Sequence, residues 1–316
     1  MTFHHKDNRI KPFNSYSGYF MAKYGKRFRK IPVDGRFNCP NRDGTKGKGG
    51  CIYCSNEAFS PAYCRENEDI SVQLTNGLRF NAGKYRDETF NIAYFQSYTN
   101  TYSSLKDLKI KYEKALSTPG ISGIAISTRP DCLEEEVMDY LAMLSESYYV
   151  VVEIGIESCF NSTLEKMNRR HDFETTLHTL EELRHRKLMV CGHIVLGFPG
   201  ESDEMILEEA TVLSRLPLQI LKIHQLQILK NTTMAEWYRL NPDDFRLFSK
   251  EEYIDLIISF LERLNPVIYI ERLVAEVPPR YLEVSPWQNT PVESIIQQIE
   301  NTMIARNTWQ GRLSES

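Results

Sequence analysis

No apolar run in this 316-residue chain approaches the ~18–20 residues that cross a bilayer. Nor does the start, Met1 to Lys11, set an apolar core behind a basic flank as a secretion signal would. A cytoplasmic protein is expected. Repeats and low-complexity tracts are lacking too, and 41% hydrophobic with 25% charged residues excludes collagen, coiled coil and disorder. Cysteine is scarce and odd in number, at 7. A chain this long buries a large core without disulfide staples, so in a reducing compartment its thiols read as buried side chains, metal ligands or catalysts.

A net positive balance is confined to one end. Residues 1–48 hold twelve Lys and Arg against three acids, Asp7, Asp34 and Asp43, leaving 26 basic against 39 acidic residues beyond. The same arm carries Phe3, Phe13, Tyr16, Tyr19, Phe20, Tyr24, Phe28 and Phe37. Such a mixture suits a surface that neutralises phosphates and stacks bases, with Arg27, Arg29, Lys30 and Lys46 as phosphate contacts. The alternative is a solvated basic segment whose aromatics pack on the body.

Beyond the arm, short apolar runs alternate with longer amphipathic ones. Strands are expected at Lys30–Gly35, Asn91–Gln96, Gly123–Ser127, Tyr149–Ile156, Val190–Gly197 and Ile220–Ile228. Helices are expected near Ser71–Ala82, Leu105–Leu116, Leu133–Ser145, Phe173–Arg186 and Asp203–Leu216. This alternation calls for a parallel sheet with right-handed crossovers, whose sites collect at the carboxyl ends of the strands. After Ile228 the rhythm loosens into a helix near Lys250–Leu264, a strand at Pro266–Leu273, a Pro-rich stretch Pro278–Pro286 and a helix near Val292–Arg306.

The strongest chemical signal follows the first strand. Cys39, Cys51 and Cys54 share one loop, with four glycines between the first two to let the backbone turn and Arg42, Lys46 and Lys48 to favour thiolates. Zinc rivals an iron–sulfur centre here, because Cys64 would complete a closed four-thiolate site. Three ligands would instead leave one iron of a [4Fe–4S] cluster open to a substrate or cofactor.

A Cys-x11-Cys-x2-Cys loop with Tyr53 directly before its last cysteine resembles radical S-adenosylmethionine (radical SAM) enzymes, and its long spacer resembles the YtqA/YhcC-type branch near the Elp3-like members. Further segments resemble that superfamily in order: Thr128-Arg129-Pro130-Asp131, Gly155-Ile156-Glu157-Ser158, and Gly197-Phe198-Pro199-Gly200-Glu201. The usual Gly-Gly-Glu after the second strand is replaced by Gln96-Ser97-Tyr98-Thr99.

The resemblance implies an α/β fold: a partial (β/α)6 barrel over 31–230, preceded by the basic aromatic arm 1–30 and followed by a C-terminal α/β extension over 231–316. It implies a [4Fe–4S] cluster on Cys39, Cys51 and Cys54, S-adenosylmethionine, and a flavodoxin or ferredoxin as electron donor. Cofactor cleavage would yield a 5′-deoxyadenosyl radical that takes a hydrogen from the substrate. By position, Tyr53 would lie against adenine, and Gln96 and Ser97 near the methionine moiety. Ser127 would sit at the third strand end, Glu157 near the ribose or sulfonium, and Leu196 with Gly197 beside the adenine edge. Glu157 could instead pair with Arg129, and Gly197 to Gly200 could be a turn opening the next helix under the Ser202 cap.

The remaining polar positions are ambiguous. Lys222 and His224 share one face of the sixth strand, pointing into the barrel or toward a covering helix. His193 faces the cofactor or sits hydrogen-bonded in the core. Cys132, Cys159 and Cys191 default to small buried side chains. For the substrate, the arm argues for RNA, and the Elp3-like relatives act on the 5-substituent of wobble uridine in transfer RNA. The YtqA-type branch implies conversion of 5-carboxymethylaminomethyl to 5-aminomethyl; pocket groups holding that carboxylate would be cationic, and Arg129 and Lys222, on strands whose ends should face the cofactor, are the candidate catalytic residues. A radical enzyme acting on a small metabolite or protein, and a non-catalytic iron–sulfur or zinc RNA-binding protein, stay open as alternatives.

Overall fold

The computed structural model describes residues 3–4, 10–56, 58, 60–64, 69–81, 89–285, 287 and 290–314. Two short strands, β1 (Phe3–His4) and β2 (Ile10–Lys11), pair antiparallel at the start. Seven strands then form one parallel sheet in chain order: β3 (Arg27–Val33), β4 (Thr89–Phe95), β5 (Gly123–Thr128), β6 (Tyr149–Glu157), β7 (Met189–Leu196), β8 (Ile220–Gln225) and β9 (Tyr269–Arg272). The crossovers run through α2 (Ile70–Asn81), α3 (Leu105–Leu116), α4 (Glu135–Ser145), α5 (Asn161–Lys166) with α6 (Phe173–His185), α7 (Asp203–Ser214), and α8 (Thr233–Leu240) with α9 (Lys250–Arg263). The result is an α/β half-barrel. Helix α10 (Val292–Ala305) packs on α9.

Alternation along the strands separates two faces. Ile31, Phe95, Ile126, Val152, Ile194 and Ile223 pack outward with the helices in the main core. The inner face is layered. At the amino ends of the strands, Ile92, Ala125, Val151, Cys191 and Ile220 meet Tyr16 and Phe20 of helix α1 (Tyr16–Tyr24), which plugs the barrel. Above the plug lies a layer of buried charge, and above that the carboxyl ends of the strands open into a cavity.

Helix α1 is absent from the sequence expectation because aromatic residues and Gly18 are poor helix formers. Burial supplies what propensity lacks: Tyr16 and Phe20, one turn apart, are fully buried. Ser15 caps the start by accepting from Gly18 N, and Gly25 at φ +68° ends the helix. Tyr19, Tyr24 and Phe28 pack around the same plug, so these aromatics are structural and do not form a base-stacking surface. The rest of the arm's first ten residues, Ala82 and Pro286 lie wholly or partly outside the described residues.

The expected C-terminal strand does more than extend the fold. Strand β9 pairs in parallel with β8, so the sheet has a seventh strand drawn from beyond residue 230. Short helices α5 and α8 also escaped the periodicity reading, being only 6 and 8 residues long.

Candidate active site

The cysteine loop leaves β3 and folds back on itself through Arg42 N and Asp43 N to Cys39 O, Gly47 N to Pro40 O, and Gly50 N to Asn41 O. Two glycines are dictated by space. A Cβ on Gly47 would stand 2.2 Å from Asn41 Oδ1, and Gly50 adopts φ +87° with Arg42 Nε 2.9 Å from where a Cβ would be.

The loop is fastened by the segment after α5. Asn41, fully buried, donates to Asn168 O at 2.6 Å, and Asn168 Nδ2 donates to Gly50 O at 2.7 Å. Ile52 N donates to Met167 O at 3.2 Å. Arg169 brings Nη1 to 3.5 Å from Cys51 Sγ, and its Nη2 donates to Gly155 O at 2.6 Å. Asn168 and Arg169 lie more than a hundred positions from the loop and carried no signal in the sequence beyond a polar, positive-φ-tolerant Asn-Arg-Arg run.

A cavity of about 230 Å³ occupies the barrel mouth. Of the expected residues, Cys39, Cys51, Tyr53, Cys54, Gln96, Ser127, Arg129, Glu157 and Lys222 line it, together with His193, His224 and Arg272. Cys64 does not, and its thiol donates to Pro32 O at 3.3 Å. Cys54 is pushed up to about 11 by burial and by Cys51, against the pull of Arg42, which donates to Cys54 O at 3.0 Å. Lys46 does not serve the thiols, since its ammonium pairs with Asp131 at 2.7 Å.

Several expectations are corrected. Leu196 turns its side chain into the helix-side core, and Val195 lines the cavity in its place, because neighbours on a strand face opposite ways. Gly197, at φ +91°, would set a Cβ 2.6 Å from the Phe248 ring; it belongs to the turn in which Glu201 accepts from Phe198 N and Ser158 Oγ. Ser97 stands aside with its hydroxyl 3.2 Å from Ser60 Oγ, while Tyr98, at φ +62°, reaches the cavity. Lys30 is no phosphate contact: its side chain, only 10% exposed, pairs with Glu153 and, at 2.6 Å, with Glu271. Arg27 lies at the exposed start of β3, and Arg29 Nη1 donates to Asn81 O at 3.4 Å.

Lys222 faces inward, into the buried charged layer. It donates to Glu153 and to Tyr94 OH, both at 2.9 Å, and Glu153 also accepts from Tyr94 and Ser127. Burial alone would raise the Glu153 carboxyl, but Lys222 and Lys30 outweigh it and hold it well below the usual range. Arg129 does not pair with Glu157; it forks onto Asp131 at 2.8 and 3.0 Å and donates to Arg169 O. Glu157, at φ +68°, instead faces His193 Nδ1 at 3.3 Å and Arg169 at 3.9 Å, which lower its carboxyl despite burial.

The donor set fits a cluster with a polar cofactor beside it. Three thiols share one cavity wall, and Tyr53 OH, Arg129 Nη1 and Arg169 Nε around it are buried without hydrogen-bond partners among the described residues. A single zinc ion would draw its sulfurs to ~3.8 Å of one another. Among the described residues, the only such set within 4.8 Å is Glu153, Cys191 and Glu271, which Lys30 and Lys222 already neutralise. No helix among the described residues is long and apolar enough to cross a membrane.

Comparison with known proteins agrees with this geometry. The Radical SAM superfamily model matches residues 42–213, beginning just after Cys39, and the Radical_SAM C-terminal domain matches 218–305. YtqA of Bacillus subtilis is 32% identical over 305 residues, covering 96% of this chain and 94% of that protein. YhcC of Escherichia coli K12 is 34% identical over 229 residues, 72% of each chain. The tRNA uridine(34) acetyltransferase of Methanocaldococcus infernus is 27% identical over 160 residues, 49% of this chain but 29% of that protein. In three dimensions, the archaeal Methanocaldococcus infernus Elp3 superposes with a TM-score of 0.67 at 15% identity, over 90% of this chain and 64% of that one. The chain therefore belongs to the YtqA/YhcC-type family of the radical SAM superfamily, and is a radical SAM enzyme that uses a [4Fe–4S] cluster and S-adenosylmethionine.

Proposed function

We propose that this enzyme acts on the 5-substituent of wobble uridine 34 in transfer RNA, converting carboxymethylaminomethyl to aminomethyl. The observation that carries the reading is the cavity wall beside the thiols, where Arg272 lines space open at the barrel mouth with no carboxylate partner among the described residues, while Arg129, Arg169 and Lys222 each face one. An anionic substituent on an extruded base suits such a wall, and nucleotide 34 sits at a loop tip where it splays out without breaking a duplex. Likeness to a tRNA uridine(34) acetyltransferase across 49% of the chain supports the same substrate. Cys39, Cys51 and Cys54 would hold the cluster, with a flavodoxin or ferredoxin as its electron source.

Bound and reduced, the two cofactors supply a 5′-deoxyadenosyl radical, while the protein supplies orientation and excludes water. The substrate CH2 between amine and carboxylate has a weakened C–H bond. Loss of a hydrogen atom, one electron and the amine proton leaves an imine, which water splits into the aminomethyl group and glyoxylate. The two electrons taken from the substrate balance the two that convert S-adenosylmethionine to methionine and 5′-deoxyadenosine. His193 donates from Nδ1 to Glu157, leaving Nε2 to accept the amine proton.

Two measurements test the reading. Nucleosides from a deletion strain should accumulate the carboxymethylaminomethyl form, and deuterium placed in that CH2 should appear in 5′-deoxyadenosine. Transfer from another substrate instead, with none from this position, would leave the enzyme class standing and reject this substrate.

A further inference from the structure

Glu271 and Arg272 are consecutive residues of β9, and a regular strand would send them to opposite faces. The register with β8 slips here: Leu221 pairs with Ile270, but Lys222 pairs with Arg272. Such an irregularity re-aims side chains. Both residues reach the barrel interior, Glu271 to accept from Lys30 at 2.6 Å and Arg272 to line the cavity.

Three other cations of the cavity wall already face carboxylates, and a fourth is engaged otherwise. Lys222 has Glu153 at 2.9 Å, Arg129 has Asp131 at 2.8 Å, and Arg169 has Glu157 at 3.9 Å. Arg42 donates to the Cys54 carbonyl and lies over the Tyr98 ring. Arg272 differs. Among the described residues no carboxylate lies within ion-pair reach of it, and its hydrogen bond runs from Nη1 to His224 Nε2 at 3.1 Å.

An arginine only donates, so His224 Nε2 must be bare and its ring neutral. His193 stands at right angles to it, ring centres 4.3 Å apart, and Lys222 lies two residues away, so cations and imidazoles surround this position. Four of the five guanidinium N–H groups have no partner among the described residues, whereas Lys222, Arg129 and Arg169 each face a carboxylate.

We propose that Arg272 anchors the carboxylate of the substrate, fixing which 5-substituent the enzyme accepts. The inference rests on the wobble-uridine reading, and it replaces Arg129 and Lys222 in that role because both already have carboxylates of their own. A guanidinium presents paired donors that match a carboxylate bidentately, which an ammonium does not. An aminomethyl product has no carboxylate and is released, so the same residue separates substrate from product.

The test uses the cluster-loaded full chain and two anticodon stem-loop RNAs, one with 5-carboxymethylaminomethyluridine and one with 5-aminomethyluridine at position 34. Wild-type protein should bind the carboxylated RNA at least tenfold more tightly. Arg272→Gln, which can still donate to His224, should bind both alike, and Arg272→Lys should fall between. A preference undiminished in both variants overturns the role of Arg272 and leaves the proposed reaction intact. Equal binding of the two RNAs by wild-type protein rejects this anchor, and rejects the reaction as well only if deuterium transfer from the CH2 also fails.

Discussion

The guanidinium of Arg169 lies 3.5 Å from the sulfur of Cys51, 118 residues earlier in the chain. The same side chain donates to Gly155 O and faces Glu157, while its backbone carbonyl accepts from Arg129. One residue thus ties the thiol loop to the ends of β5 and β6. It is fully charged in this setting, because Tyr53, Cys51 and Glu157 outweigh the cost of burial.

Replacing Arg169 by Ala should therefore loosen the loop and strand Glu157. A buried carboxylate that loses its cation costs roughly 3–5 kcal/mol. Thermal melting of the cluster-free protein should show this directly, and iron content should fall with it. An unchanged melt would mean that Arg169 holds nothing together.

Cysteine substitutions should divide cleanly. Cys39→Ala, Cys51→Ala and Cys54→Ala are expected to lose bound iron and sulfide after anaerobic reconstitution. Cys64→Ala should keep both, since its thiol is engaged by Pro32 O away from the cavity. Equal iron loss in the Cys64 variant would point to four thiolate ligands.

Lys222→Ala should act on stability before turnover. It removes one of two ammonium groups facing Glu153 in the buried layer, where an uncompensated charge costs roughly 3–5 kcal/mol. Urea denaturation should reveal the loss, and Lys30→Ala should match it. Full stability with a selective loss of turnover would assign Lys222 to the substrate instead.

Glu209 gives stability a pH dependence. Burial and the facing Glu201 push it up to about 8, and the single hydroxyl hydrogen of Ser158 cannot serve both carboxyls. The folded value lies above the unfolded one of about 4.3. The folded state then holds the extra proton between them, so this contribution is complete below pH ~4 and declines as pH rises to about 8. Unfolding free energies of wild type and Glu209→Gln, compared from pH 5 to 9, should diverge in favour of the variant up to about pH 8. Parallel curves would remove Glu209 as the cause.

Transfer RNA binding should be salt-dependent, with log affinity falling linearly in log salt. Removing Arg27, Arg29 or Lys46 should shallow the slope by ~0.7–0.9 for each phosphate no longer neutralised. Lys30 pairs with Glu153 beneath the cavity, and its removal should leave the slope unchanged. An identical slope in all the surface variants would move the RNA elsewhere.

The sequence by itself determined the barrel and its three-cysteine loop, because both are written locally. Alternation with period two marks a strand, and Leu105–Leu116 declares its helix through its own spacing. Cys39, Cys51 and Cys54 lie within sixteen residues, so the set can be read from one stretch of sequence, though Asn168 and Arg169 fasten the loop from afar. The tertiary structure decided whatever depends on residues far apart in the chain. The aromatic arm could have been a surface, and became the barrel plug because Tyr16 and Phe20 meet Val151 and Ile220 there. Lys30 looked like its basic neighbours until Glu153 and Glu271 arrived from strands β6 and β9. Arg272 was invisible because a slipped register breaks the very periodicity by which strand faces are read.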